Sequence, residues 1–151
     1  MILLFASPVM KIRSKMFRMK RILVYLWVAP ATILGLIFLP LACISGGNVR
    51  VVGGVIEISG GLVALFLQHG MLVISSATAM TLGHVVLGQN ESGLLSSRSH
   101  ERIHVAQYER WGPLMIPLYL LSSGVARLCG KHPYWDNHFE RDACSREAES
   151  L

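Results

Sequence analysis

The sequence predicts an α+β fold in which an N-terminal transmembrane helix is followed by a small β-sheet and then by a helical core. Residues 22–45 contain no charged side chain, which favours a membrane span. Two β-branched runs flank the pair Gly53-Gly54, which is typical of a β-hairpin. From about Ser97 the pattern becomes helical. These patterns divide the chain into a basic cytoplasmic N-terminus (1–21), an anchor (22–45) and an α+β domain (46–151).

The composition favours a membrane-associated chain over a nucleic-acid-binding one. Of the 151 residues, 52% are hydrophobic and 15% are charged, and the mean hydropathy is +0.49. An ordinary soluble domain is less apolar and more charged. The formal net charge is +5, but six of the fourteen basic residues lie between Lys11 and Arg21. The remaining eight are balanced by nine acidic residues, so the excess is local and we expect no nucleic-acid partner.

The basic flank lies directly before the uncharged stretch, which predicts both a span and its orientation. A helix over these 24 residues extends about 36 Å, enough to cross a hydrocarbon core of about 30 Å. Pro30 and Pro40 are expected to bend or shorten this helix. Basic residues before a span place the N-terminus in the cytoplasm. A secretory signal peptide is the competing interpretation, although its apolar core would be long. The expected partner of this segment is the lipid bilayer.

Beyond the anchor, β-structure is predicted in two places. The runs 49–52 and 55–58 form a hairpin around the glycine pair, and one strand is expected from Thr81 to Leu87. The apolar stretch 62–80 between them is ambiguous, because it fits a second span, two short helices or a core segment. The chain is therefore predicted to cross the membrane once or twice.

Three helices are predicted after the sheet. The first begins at about Ser97 or Ser99, either of which offers an N-cap. It ends at Gly112-Pro113, because proline cannot continue the hydrogen-bond ladder. An apolar helix of about 16 residues follows from Leu114, and a polar helix occupies the tail of the chain.

The first of these helices carries an H-E-x-x-H motif at His100-Glu101-Arg102-Ile103-His104. Residues four apart lie on one face of a helix, so His100 and His104 can direct their imidazoles at one Zn²⁺. Glu101 lies beside the ion without ligating it, where it can take a proton from the water that zinc activates. Arg102 departs from most such motifs, in which the two middle positions are uncharged. An ordinary amphipathic helix with surface His and Glu is the alternative.

A catalytic zinc site needs a third protein ligand and keeps one position open. Glu140 lies 36 residues after His104, a separation that suits a returning helix and a third helix docked on the first. Ala143, about one turn further, offers a small side chain for close helix packing. Three alternatives stay open, namely a capping box of Asn137 and Glu140, ligation by His132 and ligation by His138.

The residues that follow the motif on the same helix are candidates for orienting the two imidazoles. A metal-ligating histidine usually donates its second ring N–H to a neighbouring group. Side chains within about two turns of the ligands can supply such hydrogen bonds, and the spacing alone selects none of them. The candidates are Gln107, Tyr108, Glu109 and Arg110.

The pattern H-E-x-x-H followed by E-x-x-A resembles the gluzincin metallopeptidases, whose third zinc ligand is such a glutamate. The resemblance implies a zincin-like core, a peptide or protein substrate, and cleavage of an amide bond by zinc-activated water. Carried over to this chain, it implies zinc ligation by His100, His104 and Glu140, with Glu101 as the general base. Peptidases of this type usually add a Tyr or His that stabilises the oxyanion, and the candidates are Tyr119, His132 and Tyr134.

A wider similarity covers roughly residues 48–145. The segments TLGHVVLG, SHERIHVAQYERWGPLMIPLYL and YWDNHFERDA are similar to a group of small bacterial membrane proteins whose motif includes the charged Arg102. This similarity implies the bacterial inner membrane as the location. It implies a metal site without naming a substrate.

The sequence therefore predicts a membrane-anchored, zinc-dependent, metallopeptidase-like protein. The alternative is a non-enzymatic small membrane protein with a structural metal site or with no metal. The metal hypothesis carries a topological condition. If residues 114–129 crossed the membrane, His104 and Glu140 would face opposite sides, so we expect this segment to pack within the domain or to lie along the membrane surface.

Overall fold

The computed structural model describes residues 8–70 and 77–149. Its α-helices are α1 (Pro8–Leu36), α2 (Phe38–Ile44), α3 (Gly61–His69), α4 (Glu91–Trp111), α5 (Met115–Leu128) and α6 (His138–Glu149). Its strands are β1 (Asn48–Val52), β2 (Val55–Ser59), β3 (Ala79–Leu82) and β4 (Val85–Gly88). A 3-10 turn, Gly112–Leu114, joins α4 to α5. The predicted α+β class is confirmed.

The strands form one sheet in the order β1-β2-β4-β3, so β1 and β3 are its edges. Strands β1 and β2 are antiparallel, β2 and β4 are parallel, and β3 and β4 are antiparallel. The predicted hairpin at 49–58 is confirmed. Its turn residues Gly53 and Gly54 have φ of 56° and 81°, the left-handed region that favours glycine.

The prediction of one strand from Thr81 to Leu87 is wrong, because the chain reverses in its middle. Gly83 has a φ of +63°, and this residue and His84 form the turn between β3 and β4. A Cβ at Gly83 would lie 2.6 Å from the backbone nitrogen of Thr32 on α1. The close approach of α1 therefore requires glycine here, and the backbone N–H of His84 donates to Thr32 Oγ1 at 3.1 Å.

The two faces of the sheet bury different helices. One face packs against α4 through a small apolar cluster, which consists of Val55, Val86, Leu94 and Val105. The other face packs against α2 and α3 through a larger cluster, which consists of Ala42, Ile58, Val63, Leu67, Val85 and Leu87. Because side chains alternate along a strand, consecutive residues of β2 and β4 point alternately towards α4 and towards α2 and α3.

The N-terminal segment is helical, as predicted, but it is not one uninterrupted helix. Helix α1 ends at Leu36, which is four residues before Pro40, where the proline ring clashes with the carbonyl of a continuing helix. Among the described residues, one stretch of 27 residues, Arg18–Ile44, is long and apolar enough to cross a membrane. A signal sequence or the core helix of a soluble protein meets the same criterion.

Helix α1 also packs against the rest of the protein. Val28 and Ala31 are buried in a cluster with Tyr108, Met115 and Phe139. The predicted division of the chain at residue 45 into an anchor and a domain stays a prediction, and these contacts show that the two parts share one apolar core.

The ambiguous segment 62–80 contains a short helix and the start of a strand. Helix α3 has nine residues and extends about 14 Å, which is less than a bilayer requires. Residues 79 and 80 belong to β3. Residues 71–76 lie outside the described part of the chain.

The predicted start of α4 is wrong by about two turns, whereas its predicted end is confirmed. The helix begins at Glu91 because Asn90 is its N-cap, with Asn90 Oδ1 accepting a hydrogen bond from the backbone N–H of Gly93 at 2.7 Å. It ends at Trp111, before Gly112 and Pro113.

Helices α5 and α6 bring the end of the chain back to α4. Helix α5 has 14 residues and buries Met115, Ser123 and Ala126, and α6 then packs along α4. Ala143 is fully buried, which confirms the predicted small residue on the packed face of α6. Helix α5 does not separate His104 from Glu140, so the topological condition for a shared metal is met.

Candidate metal centre

Three side chains from two helices converge at the α4–α6 interface. His100 and His104 lie one turn apart on α4, and their Nε2 atoms are 3.1 Å apart. Glu140 reaches them from the first turn of α6, with Oε2 at 3.2 Å from His100 Nε2 and Oε1 at 3.4 Å from His104 Nε2. His104 and Glu140 are buried and His100 is partly buried. The structure therefore brings together the three predicted ligands.

The spacing of these atoms fits a tetrahedral zinc ion. With zinc–ligand distances of about 2.0–2.1 Å, two ligand atoms at a tetrahedral angle lie about 3.3 Å apart. The contacts of 3.1–3.4 Å are near that separation, but they involve both oxygens of Glu140. With one ligand atom from each residue, the three atoms lie within 4.8 Å of one another, so a small approach of the side chains would complete a tetrahedral zinc site. Two imidazoles and one carboxylate are also the donor set of catalytic zinc sites, which leave the fourth position for water or substrate. Among residues 8–70 and 77–149, this is the group of His, Cys, Asp or Glu side chains whose arrangement can hold a metal ion.

Hydrogen bonds at the far ring nitrogens leave both Nε2 atoms available for a metal. The Gln107 amide nitrogen donates to the Phe139 carbonyl at 3.0 Å and to Asp142 Oδ2 at 2.8 Å. Its oxygen must then accept from His104 Nδ1–H, at 2.9 Å. His100 Nδ1 lies 3.3 Å from Glu147 Oε2. An ionised carboxylate can only accept a hydrogen bond, so Nδ1–H is the donor. In the neutral form of each ring the lone pair is therefore on Nε2, whereas in the protonated form Nε2–H can donate to Glu140.

Burial and mutual hydrogen bonding shift the pKa values of the ligands in opposite directions. Burial raises the pKa of Glu140, but hydrogen bonds from both histidines outweigh it and hold that pKa well below its usual range. Burial lowers the pKa of His104, but hydrogen bonding to Glu140 and the nearby carboxylates raise it to about 8. Hydrogen bonding to Glu140 also raises the pKa of His100. Without a metal, the cluster is held by a carboxylate that shares protons with two imidazoles, and a metal cation would replace those protons.

Glu101 lies beside the cluster and is almost completely buried. Thr81 on the edge strand β3 donates a hydrogen bond to Glu101 Oε2 at 2.6 Å. Burial raises the pKa of Glu101 above its ordinary value, although the nearby imidazoles act in the opposite direction. The side chain lines two cavities that meet at this point. Glu101 is therefore placed to exchange protons with a molecule bound at the metal position.

The three predicted oxyanion stabilisers occupy different places. Tyr119 donates to Glu140 Oε1 at 2.7 Å, which orients the carboxylate. The ring of His132 accepts hydrogen bonds from the backbone N–H groups of Tyr134 and Trp135, both at 3.2 Å, and so closes a turn. Tyr134 lines both cavities, and burial and the nearby carboxylate of Glu140 raise the pKa of its hydroxyl. Of the three residues, Tyr119 lines only the first cavity and His132 only the second.

The charged middle position of the motif has a partner in the sheet. Glu57 on β2 is buried, and Arg98 contacts both of its oxygens at 3.0 and 2.8 Å. Arg102, one turn beyond Arg98, lies 3.5 Å from the same carboxylate and donates to the carbonyl of Val52. These contacts fix α4 on the face of the sheet that carries Thr81.

The sequence predicted the three clustered residues but only some of the side chains that hold them in place. Of the four residues proposed to orient the imidazoles, Gln107 does so, whereas Tyr108 packs against α1 and Glu109 pairs with His84. Glu147 and Thr81 were missed. Glu147 lies seven residues after Glu140, two turns along the same face of α6, and that periodicity was the available signal. Nothing local indicates the long-range contact of Thr81 with Glu101.

No family model matches the chain, and comparisons with curated proteins and with solved structures find no match.

Proposed function

We propose that this protein is a membrane-anchored, zinc-dependent peptidase with a gluzincin-like site in a zincin-like core. The observation that carries the proposal is the convergence of two Nε2 atoms and one carboxylate within reach of a single metal ion. A second, buried carboxylate lies next to them in the wall of two cavities. A structural site has no need of such a group, whereas hydrolysis does.

In this proposal each residue has one task. His100, His104 and Glu140 hold Zn²⁺, which lowers the pKa of water from about 15.7 towards 7 and polarises the scissile carbonyl. Glu101 accepts the proton of the attacking water and then donates it to the leaving amine. Its raised pKa suits this work, because a general acid–base is most effective near the working pH. Tyr134 donates a hydrogen bond to the developing oxyanion.

The edge strand β3 supports a peptide as the substrate. Its residues line one cavity from Ala79 to Leu82, and Ala79 also lines the other cavity. An extended peptide can add to an exposed sheet edge through main-chain hydrogen bonds. Because Thr81 of this strand holds Glu101, a peptide paired with β3 lies beside the general base.

The metal part of the proposal is tested by measuring zinc per chain on detergent-purified protein. We expect about one zinc in wild type and a large loss in His104→Ala and Glu140→Ala. His69→Ala is the matched control, because His69 is exposed on α3 and is not one of the three clustered residues, and it should keep the metal. Wild-type protein that stays free of zinc after incubation with the metal would contradict a zinc enzyme.

The catalytic part is tested with Glu101→Gln, which keeps the size of the side chain and removes its charge. We expect unchanged zinc content and a loss of peptide hydrolysis of about 10²-fold or more, measured on a mixed peptide library by mass spectrometry. If zinc-loaded wild type cleaves no more than Glu101→Gln does, the metal is structural and the non-enzymatic alternative holds.

A further inference from the structure

Glu101 lies in the wall of an apolar cavity that is lined by residues of α3, β3, α4 and α5. The cavity has a volume of about 220 Å³. His104, Glu101 and Glu140 lie in its wall, so a molecule inside it contacts the metal centre. Most of the other lining side chains are apolar, and they include Phe66, Met80, Leu82, Met115, Ile116 and Leu120.

The rim of this cavity continues into exposed apolar surface. Helix α3 contributes Leu62 and Leu65, and α5 contributes Leu120 and Leu121, all of them exposed. Helix α3 contains no Asp, Glu, Lys or Arg, and α5 contains a single one, Arg127, in its last turn. Leucines exposed together around a cavity mark a surface that contacts a membrane, a ligand or another protein.

The opposite edge of the sheet has a different character. Strand β1 exposes Arg50, whose guanidinium pairs with the exposed carboxylate of Glu91 at 2.6 Å. Strand β1 also exposes Val49 and Val51, so what distinguishes this edge is its ion pair with α4, since charges are costly in a bilayer. The apolar surface at the β3 edge is therefore the side on which lipid can lie.

The metal centre lies level with the middle of the apolar N-terminal helix. Val28 and Ala31, near the centre of the stretch Arg18–Ile44, pack against Tyr108 and Phe139. Tyr108 is one turn beyond the ligand His104, and Phe139 directly precedes Glu140. If that stretch spans the bilayer, the site is at the depth of the hydrocarbon and not above the membrane surface.

The second cavity at the site is more polar than the first, with polar and apolar atoms in about equal share. It has a volume of about 800 Å³ and is lined by Arg127, His132 and Glu147 as well as His100 and Glu101. The two cavities share Ala77, Ala79, Glu101 and Tyr134. A chain that passes through both therefore has an apolar part on one side of Glu101 and a polar part on the other.

From these observations we propose that the substrate is a peptide with a bilayer-embedded apolar segment, which enters the metal centre from the lipid between α3 and α5. The proposal rests on the proposed peptidase function and names its substrate class. The apolar end of the peptide occupies the 220 Å³ cavity, its polar continuation occupies the other cavity, and the bond between them is presented to Glu101. Juxtamembrane segments of membrane proteins have this chemistry.

Binding is tested separately from cleavage, with full-length Glu101→Gln reconstituted in phosphatidylcholine vesicles and loaded with zinc. The probe is a synthetic peptide of about 16 Leu and Ala residues with a photoreactive diazirine group, followed by a polar tail. We expect light-dependent cross-linking of this probe and at least about tenfold less cross-linking of the polar tail alone.

Two glutamate variants on one helix locate the entrance. Leu120→Glu places a charge in the cavity wall and should reduce cross-linking at least about tenfold. Leu128→Glu is the matched control, because Leu128 is highly exposed on α5 and does not line the cavity, and it should change the yield less than about twofold. Equal zinc contents show that both variants fold. Equal cross-linking of both variants, or of the tail alone, would overturn lipid-side entry.

Parallel cleavage assays on wild type separate the two proposals. Cleavage of soluble peptides but not of the membrane probe, with Leu120→Glu fully active, refutes the substrate class and keeps the peptidase. Cavity-dependent cross-linking without any cleavage refutes the peptidase and keeps a binding site for apolar segments.

Discussion

Replacement of Gln107 by leucine tests how the metal centre is oriented. The Gln107 amide links the two helices of the site, because its oxygen accepts from His104 Nδ1–H and its nitrogen donates to the Phe139 carbonyl and to Asp142. Leucine fills a similar volume and makes none of these hydrogen bonds. The His104 ring then loses the contact that fixes its tautomer and its direction.

The expected effect has two parts that are measured separately. Removing the hydrogen-bond partner of a metal-bound histidine costs about 10–100-fold in metal affinity, or about 1.4–2.7 kcal/mol. The buried Nδ1–H of His104 also loses its acceptor, and an unsatisfied buried polar group costs about 1–3 kcal/mol of folding stability. That second cost is shared by the zinc-free and zinc-bound proteins, so it lowers the free energy of unfolding without changing zinc affinity. Asp142 keeps its ion pair with Arg146 at 3.0 Å.

Zinc affinity is measured by competition with a chromophoric chelator, and stability by chemical denaturation of the zinc-free protein. Gln68→Leu is the matched control, since the same substitution at this exposed position of α3 touches no residue of the site. Unchanged zinc affinity in Gln107→Leu would refute the reasoning, because it would mean that other contacts orient His104.

Three further predictions follow from other contacts. Zinc binds the neutral imidazole, and the pKa of His104 is raised to about 8 in the metal-free protein, so zinc affinity should rise with pH up to about 8; a plateau already at about 6.5, measured in the same titration, would contradict the raised pKa. Glu57→Leu removes the carboxylate shared by Arg98 and Arg102, both about one-third exposed, and should lower the free energy of unfolding by about 1–2 kcal/mol in chemical denaturation. Gly83→Ala should lower the free energy of unfolding by more than about 1 kcal/mol, because alanine is strained at a φ of +63° and its Cβ meets the backbone of α1. A melting temperature equal to that of wild type would mean that α1 shifts to accommodate the Cβ.

The metal ligands were predictable because helical periodicity is rigid. Once a helix covers residues 100–104, His100 and His104 must share a face, whatever surrounds them. The position of Glu140 beside the two histidines depends on tertiary packing, but the small residue Ala143 indicated which face of α6 packs against α4. The roles assigned to these residues, and the identity of the metal, stay predictions.

The helix start and the strand boundaries were less predictable because competing local signals have similar strength. Ser97 looked like an N-cap, but its hydroxyl donates to the carbonyl of Gly93 at 2.8 Å inside the helix, as does that of Ser96 at 3.0 Å. Asn90, ten residues before His100, is the cap. The reversal of the chain at Gly83 depends on the proximity of α1, and no local sequence pattern in β3 or β4 indicates that proximity.

The charged residue within the H-E-x-x-H motif is explained by the sheet and not by the metal. Position 102 is rotated about 200° around the helix from His100, so its side chain points away from the ligands. In most such motifs an uncharged residue suffices there, but β2 of this sheet presents the buried carboxylate of Glu57, which requires charged partners. Arg98 and Arg102, four residues apart, supply them from one face of α4. The charge at Arg102 is therefore compatible with the metal-site interpretation, since the opposite faces of α4 contact two different partners.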